Sequence, residues 1–115
     1  MTKWLINKHA LFCVKRYVRR ELRDLTVGDR EAFLDAAATL WKVSTKKGRT
    51  ELGYSDSYRD INSLAIIHND LAGNTICDHL HGVGGYNFLT GHVALNNMLE
   101  QSMQAVDPAV IVVNC

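Results

Sequence analysis

The fold is decided by the stretch Asn87-Phe-Leu-Thr-Gly-His-Val-Ala-Leu-Asn-Asn-Met-Leu-Glu-Gln-Ser-Met-Gln-Ala105. Four large apolar residues and one histidine recur in it every three or four positions, which is the period of one face of an α-helix: Leu89, His92, Leu95, Leu99 and Met103. Pro108 follows shortly afterwards, and a proline disfavours helical geometry in the residue before it. We therefore predict a helix over 87–105 with His92 on its buried face.

Two earlier stretches have the same period. Residues 26–29, Thr-Val-Gly-Asp, form a helix-capping pattern with aspartate in place of glutamate, and an apolar stripe expected to be core follows: Phe33, Ala36, Ala37, Leu40 and Trp41. This predicts a helix over 29–43, with the basic run 46–49 as its solvated exit. A further helix is predicted over 57–68, with one inward face: Tyr58, Ile61, Leu64, Ala65 and His68.

A glycine-rich stretch, 69–86, separates the second predicted helix from the third and breaks the helical pattern. The fold class expected from these elements is mainly α, a partial antiparallel helix bundle of about three helices with a long glycine-rich loop. A chain of 115 residues makes one domain at most.

Composition excludes several function classes. The formal net charge of +1 argues against a nucleic-acid surface, and no apolar run approaches the roughly 20 residues that span a membrane. Asn7, Lys8 and His9 interrupt the first apolar residues, which makes a poor signal peptide and leaves the compartment open. Three cysteines give no disulfide framework: Cys13, Cys77 and Cys115.

Histidines are concentrated in one short region. Four of the five lie between positions 68 and 92, together with Cys77: His68, His79, His81 and His92. Because imidazole is a favoured ligand of copper and zinc, and a closed structural zinc site would need more thiolate than Cys77 alone, the pattern predicts an open three-histidine metal site. Phe88 stands one turn before His92, so its ring can pack beside the imidazole.

The histidine region resembles the first copper-binding half of the tyrosinase family, to which hemocyanins and catechol oxidases also belong. The resemblance lies in Cys77-Asp-His-Leu-His-Gly82, Phe88-Leu-Thr-Gly-His92, Leu95, Glu100 and Val106-Asp-Pro108, with weaker similarity upstream over 19–26, 29–33 and 58–68. It implies an N-terminal extension over 1–18, a tyrosinase-like copper A half-domain over 19–110 and a divergent end over 111–115. The implied fold resembles the N-terminal half of a tyrosinase.

By this resemblance, His68, His81 and His92 correspond to the three ligands of the first copper, copper A, with Phe88 packing over the site. The second ligand has an alternative, His79. Family members usually have eight residues between the second and third ligands, whereas ten follow His81 and twelve follow His79 here. In favour of His79, the pattern Cys77-x-His79 resembles the cysteine that forms a thioether with the second histidine in some members.

The family resemblance also implies an activity and a limit on it. Two coppers, each held by three histidines, use dioxygen to oxidise a phenol to a catechol or a catechol to a quinone. This chain has five histidines, Val93 stands where the family has arginine, and the second copper half is missing. We therefore expect a truncated tyrosinase-like oxidoreductase that holds one copper and is inactive alone.

A half-bundle would leave an apolar stripe facing solvent or a partner, such as a complementing chain or a second copy: Ile61, Leu64, Leu95, Leu99 and Met103. Two other function classes stay open. One is a zinc-binding module that uses Cys77, His68, His92 and either His79 or His81. The other is a metal-free helical interaction domain.

Overall fold

The structure is a computed structural model that describes residues 19–72 and 86–110. A short 3-10 turn, Leu22–Asp24, precedes four helices: α1 (Val27–Lys42), α2 (Thr45–Thr50), α3 (Ile61–Ala72) and α4 (Tyr86–Val106). No β-strand occurs within these two described ranges. The prediction of a mainly α chain is therefore confirmed.

Helices α1 and α4 lie where the periodicity placed them. Predicted over 29–43 and 87–105, they extend over Val27–Lys42 and Tyr86–Val106. The cap of α1 is the predicted one, since Thr26 Oγ1 accepts a hydrogen bond from Asp29 N at 3.1 Å and donates to Asp29 Oδ2 at 2.8 Å. A local capping motif in α1 and a long apolar period in α4 were sufficient to predict these two helices.

The basic run 46–49 is not a solvated exit from α1, as the sequence suggested, but part of the separate helix α2. Ser44 caps this helix by accepting a hydrogen bond from Lys47 N at 3.3 Å. Gly48 is buried against the ring of Tyr58, and Arg49 Nε donates to the Tyr58 carbonyl oxygen at 2.9 Å. Six residues are too few for a periodic pattern to reveal a helix.

Helix α3 begins later than predicted, at Ile61 rather than Ser57. Asp60 provides the start, because its Oδ1 accepts a hydrogen bond from Ser63 N at 2.8 Å, as an N-cap side chain does. Tyr58 therefore precedes the helix, yet its ring is fully buried and its hydroxyl donates to the Val43 carbonyl oxygen at 2.8 Å. The inward position of Tyr58 was predicted correctly, but its place in a helix was wrong.

Helices α3 and α4 are antiparallel. Arg59 N, just before α3, donates to Ser102 Oγ near the end of α4 at 3.1 Å, whereas His68 near the end of α3 approaches His92 near the start of α4. Helix α1 packs against both of them. The core cluster contains residues from α1, α3, α4 and the adjoining segments: Ala36, Leu40, Tyr58, Leu64, Met103 and Val110.

Three expectations about exposure are wrong. Leu64 and Met103 do not face solvent, because both belong to this core cluster and are 7% and 4% exposed. Trp41, predicted as core, is 72% exposed, since it follows the buried Leu40 and lies about 100° further round α1. Leu89, predicted on the buried face of α4, is 67% exposed.

Candidate metal site

The candidate metal site contains His68 from α3 and His92 from α4. Their rings meet edge to face, with centroids 5.7 Å apart and planes 71° from parallel, and both residues are half-buried. Two imidazoles bound to one ion have ring centres about 5 Å apart, since each metal–nitrogen bond is about 2 Å long. The observed separation of the ring centres is therefore within about 1 Å of that expected for two imidazoles on one ion.

His92 is held in one tautomer by its own helix. Its Nδ1 lies 2.7 Å from the Phe88 carbonyl oxygen, and a carbonyl oxygen can only accept a hydrogen bond. In the neutral imidazole the proton is therefore on Nδ1 and the lone pair on Nε2. This is the arrangement of metal-binding histidines, in which a backbone carbonyl orients the ring through the nitrogen that does not bind the metal.

Phe88 lies against His92, as the spacing of one helical turn predicted. The ring centroids are 4.5 Å apart with planes tilted by 44°. Phe88 thus contacts His92 twice, through its carbonyl oxygen and through its ring, although the side chain itself is 48% exposed. The two contacts favour the observed orientation of the imidazole, which lowers the entropic cost of presenting Nε2 to an ion.

A groove between α3 and α4 adjoins His68. It has a volume of about 210 Å³, and we call it the α3–α4 groove; it is lined by Ile61, Leu64, Ala65, His68, Leu95, Asn96 and Leu99. Apart from His68 and Asn96 the lining is apolar. The candidate metal site therefore lies at one end of an open hydrophobic groove.

The remaining predicted site residues, Cys77, His79 and His81, lie outside the described residues, as does His9. Which of His79 and His81 is the second ligand, and whether Cys77 forms a thioether, stay predictions. Within 19–72 and 86–110, no three histidine, cysteine, aspartate or glutamate side chains come close enough to hold a metal together. A complete site would need a ligand from outside these two ranges.

The polar cluster around Asp60 was not predicted from the sequence. This carboxylate is 9% exposed, and its Oδ2 accepts hydrogen bonds at 2.6 Å from both Thr45 N and Thr45 Oγ1. Burial raises the pKa of Asp60, but the hydrogen bonds from Thr45 and Ser63 outweigh it and lower that pKa from 3.8 to about 2. The spacing Asp60-x-x-Ser63 is a capping signal that was available in the sequence.

Comparison with known proteins does not assign this chain to a family. No protein-family model, no curated protein and no solved structure matches this chain. In the ranges 19–72 and 86–110 none of the helices is sufficiently long and apolar to span a bilayer. Function is therefore inferred from the residues and geometry of the chain itself.

Proposed function

We propose that this chain is a tyrosinase-like copper-binding half-domain in which His68, His92 and one histidine from 73–85 hold a single copper ion. The approach of the His68 and His92 rings to 5.7 Å, from two antiparallel helices, carries the proposal. The positions agree with the first and third copper ligands implied by the family resemblance. For the third protein ligand we propose His81, with His79 as the alternative.

Copper is favoured over structural zinc by the kind of donors present. Three imidazoles suit copper or catalytic zinc, whereas structural zinc usually includes more thiolate than Cys77 could provide. The hydrogen bond from His92 Nδ1 to the Phe88 carbonyl oxygen supports binding through Nε2. Phe88 packs beside the imidazole and limits its rotation.

The reaction that we propose for the assembled protein is oxidation of a small phenol or catechol with dioxygen. When bound, a pair of coppers would supply the electron transfer to dioxygen. This chain has five histidines, one fewer than two three-histidine copper sites require, so a complementing chain or a further segment would have to supply the second copper half. The chain alone is expected not to oxidise catechol.

Copper titration of the purified chain, with metal analysis after dialysis, tests the assignment. One copper per chain is expected, and His68→Ala and His92→Ala should each lose it. Asn97→Ala is the matched control, since it removes an exposed polar side chain of α4 that does not line the α3–α4 groove, and it should leave the stoichiometry unchanged. Circular dichroism establishes that each variant folds. Full copper binding by His92→Ala would overturn the proposal.

Two further comparisons separate the rival functions. Cys77→Ser should hardly change copper binding by three imidazoles, whereas a tetrahedral zinc site that uses the thiolate would lose its affinity. His79→Ala and His81→Ala identify the second ligand, because only one of them should lose copper. A chain that binds neither copper nor zinc would instead be a metal-free helical interaction domain.

A further inference from the structure

The α3–α4 groove is an apolar surface that the described helices do not cover. Leu95 and Leu99 on α4 and Ile61 on α3 are only half-buried, although each faces the groove. Leaving such a surface in water is unfavourable by about 25 cal/mol for each Å² of apolar area. An additional apolar segment that lies in the groove would therefore stabilise the fold.

The described chain begins at one end of this groove. The Arg19 guanidinium nitrogen Nη2 lies 2.6 Å from Glu100 Oε2, and the Glu100 side chain is only 12% exposed. Glu100 is one helical turn beyond Asn96, so the two lie on the same face of α4. The ion pair thus places the attachment point of residues 1–18 next to the Leu99 end of the groove.

Residues 1–18 have a composition that matches the groove. They are rich in large apolar residues, namely Trp4, Leu5, Ile6, Leu11, Phe12 and Val14. Their four basic residues, with no aspartate or glutamate among the eighteen, are Lys3, Lys8, Lys15 and Arg16. Helices α3 and α4 contain no lysine or arginine, and Asp70 is their acidic residue that is not paired with Arg19. Both the hydrophobic effect and charge therefore favour the association.

The length of the N-terminal segment is sufficient. From Ile61 to His68 the groove follows α3 for about 10 Å, at 1.5 Å per helical residue. Eighteen residues cover about 27 Å as a helix. Because the segment starts beside Glu100, fewer than half of its residues are needed to reach His68 at the other end.

We propose that residues 1–18 bind in the α3–α4 groove of their own chain and cover its apolar surface as far as the His68 end. This intramolecular association needs no metal and is independent of the copper assignment. It makes the segment a competitor of any chain that would complement the half-bundle, because both would use Leu95 and Leu99. A complementing chain would have to displace residues 1–18 first.

Disulfide trapping tests the proposal, because the segment contains a natural thiol, Cys13. In the 115-residue chain with Cys77→Ser and Cys115→Ser, a second thiol is introduced by Asn96→Cys in the groove. The matched control is Leu34→Cys, at a half-exposed position on the outer face of α1. Both proteins are oxidised mildly, at low concentration and with a chelator present, and the disulfides are mapped by mass spectrometry.

The expected result is an intramolecular disulfide between Cys13 and the groove thiol that forms at least about tenfold faster than the control disulfide, since association raises the effective concentration of the two thiols. In urea the control disulfide should form faster than the groove disulfide, because the loop between positions 13 and 34 is shorter than the loop between 13 and 96. Phe12→Asp should slow trapping in the groove. Equal native rates, or disulfides mainly between two chains, would overturn the proposal, and the latter would identify a second copy as the occupant.

Discussion

Gly48→Ala should destabilise the protein, although replacing a helical glycine by alanine usually stabilises a helix. A Cβ at this position would lie 2.5 and 2.6 Å from Tyr58 Cε1 and Cδ1 and 2.9 Å from Tyr54 Cδ2, where 3.4 Å is the ordinary lower limit of contact. The Tyr58 ring would have to move by about 1 Å, in an interior packed almost as densely as a crystal. Tyr58 is fully buried, so it cannot escape into solvent.

The net effect follows from three terms. Overpacking of this kind costs about 1 to 3 kcal/mol. Displacing the ring also weakens the 2.8 Å hydrogen bond from the Tyr58 hydroxyl to the Val43 carbonyl oxygen, at about 1 kcal/mol. Alanine regains about 1 kcal/mol through its helix propensity. The free energy of unfolding should therefore fall by about 1 to 3 kcal/mol, and the Tm by about 10 °C.

Urea and thermal unfolding, followed by circular dichroism, measure this change. The control is Gly28→Ala in the first turn of α1, where an added Cβ meets nothing within 4 Å. That variant should be neutral or more stable by up to about 1 kcal/mol. If Gly48→Ala is as stable as Gly28→Ala, the close packing of α2 on Tyr58 is refuted.

Two further predictions concern the polar groups that surround the start of α3. Asp60→Asn should lower the free energy of unfolding at pH 7 by about 2 kcal/mol, because the folded protein lowers the pKa of this carboxyl from 3.8 to about 2. A lowered folded-state pKa adds stability above pH 4 that is lost as the pH falls toward 2, so urea unfolding of the two proteins should converge over that range; a constant difference would contradict the assignment. Ser102→Ala should cost about 1 to 3 kcal/mol in urea unfolding, since its fully buried hydroxyl accepts a hydrogen bond from Arg59 N at 3.1 Å. The exposed Ser55→Ala is its control, and equal effects of the two serine variants would argue against a buried role for Ser102.

The long helices could be predicted because their signals are local. Helix α4 has an apolar period over about four turns and Pro108 beyond its end, and α1 has the Thr26 cap, so each boundary was predicted within two residues. Exposure was harder to predict from the same pattern. Trp41 and Leu89 fit an apolar stripe, but which side of each helix is covered depends on the packing of α1 against α3 and α4.

The segment between α1 and α3 was predicted least well, because contacts between distant residues determine it. Helix α2 is stabilised by the fit of Gly48 to Tyr58, ten positions later, and α3 begins where Asp60 binds Thr45, fifteen positions earlier. Neither contact produces a periodic pattern in the sequence from which it could be predicted. Serine and aspartate are residue types preferred at helix N-caps, so the caps at Ser44 and Asp60 are predictable from the sequence.

For the candidate metal site, helical spacing could predict the positions of only those histidines that lie on helices. It predicted that His68 and His92 both face inward, and the structure places their rings 5.7 Å apart. The hydrogen bond that orients His92 depends on its side-chain rotamer, which no spacing rule predicts. His79 and His81 belong to a glycine-rich stretch without periodicity, so their roles rest on the family resemblance.

Two hydrogen bonds immediately before α3 fix the first end of this helix to its neighbours, so a small tilt there displaces the other end. Arg59 N donates a hydrogen bond to Ser102 Oγ on α4, and Asp60 N donates one to Thr45 Oγ1 at 2.9 Å. The first end of α3 is therefore held by two neighbouring elements. His68 lies eight residues along, about 12 Å from this end. A tilt of only about 2° at this end moves the imidazole by about 0.5 Å, which is the tolerance for placing a metal ligand. Substitutions at Thr45 or Ser102 would thus move a ligand of the proposed copper site, although neither residue belongs to that site.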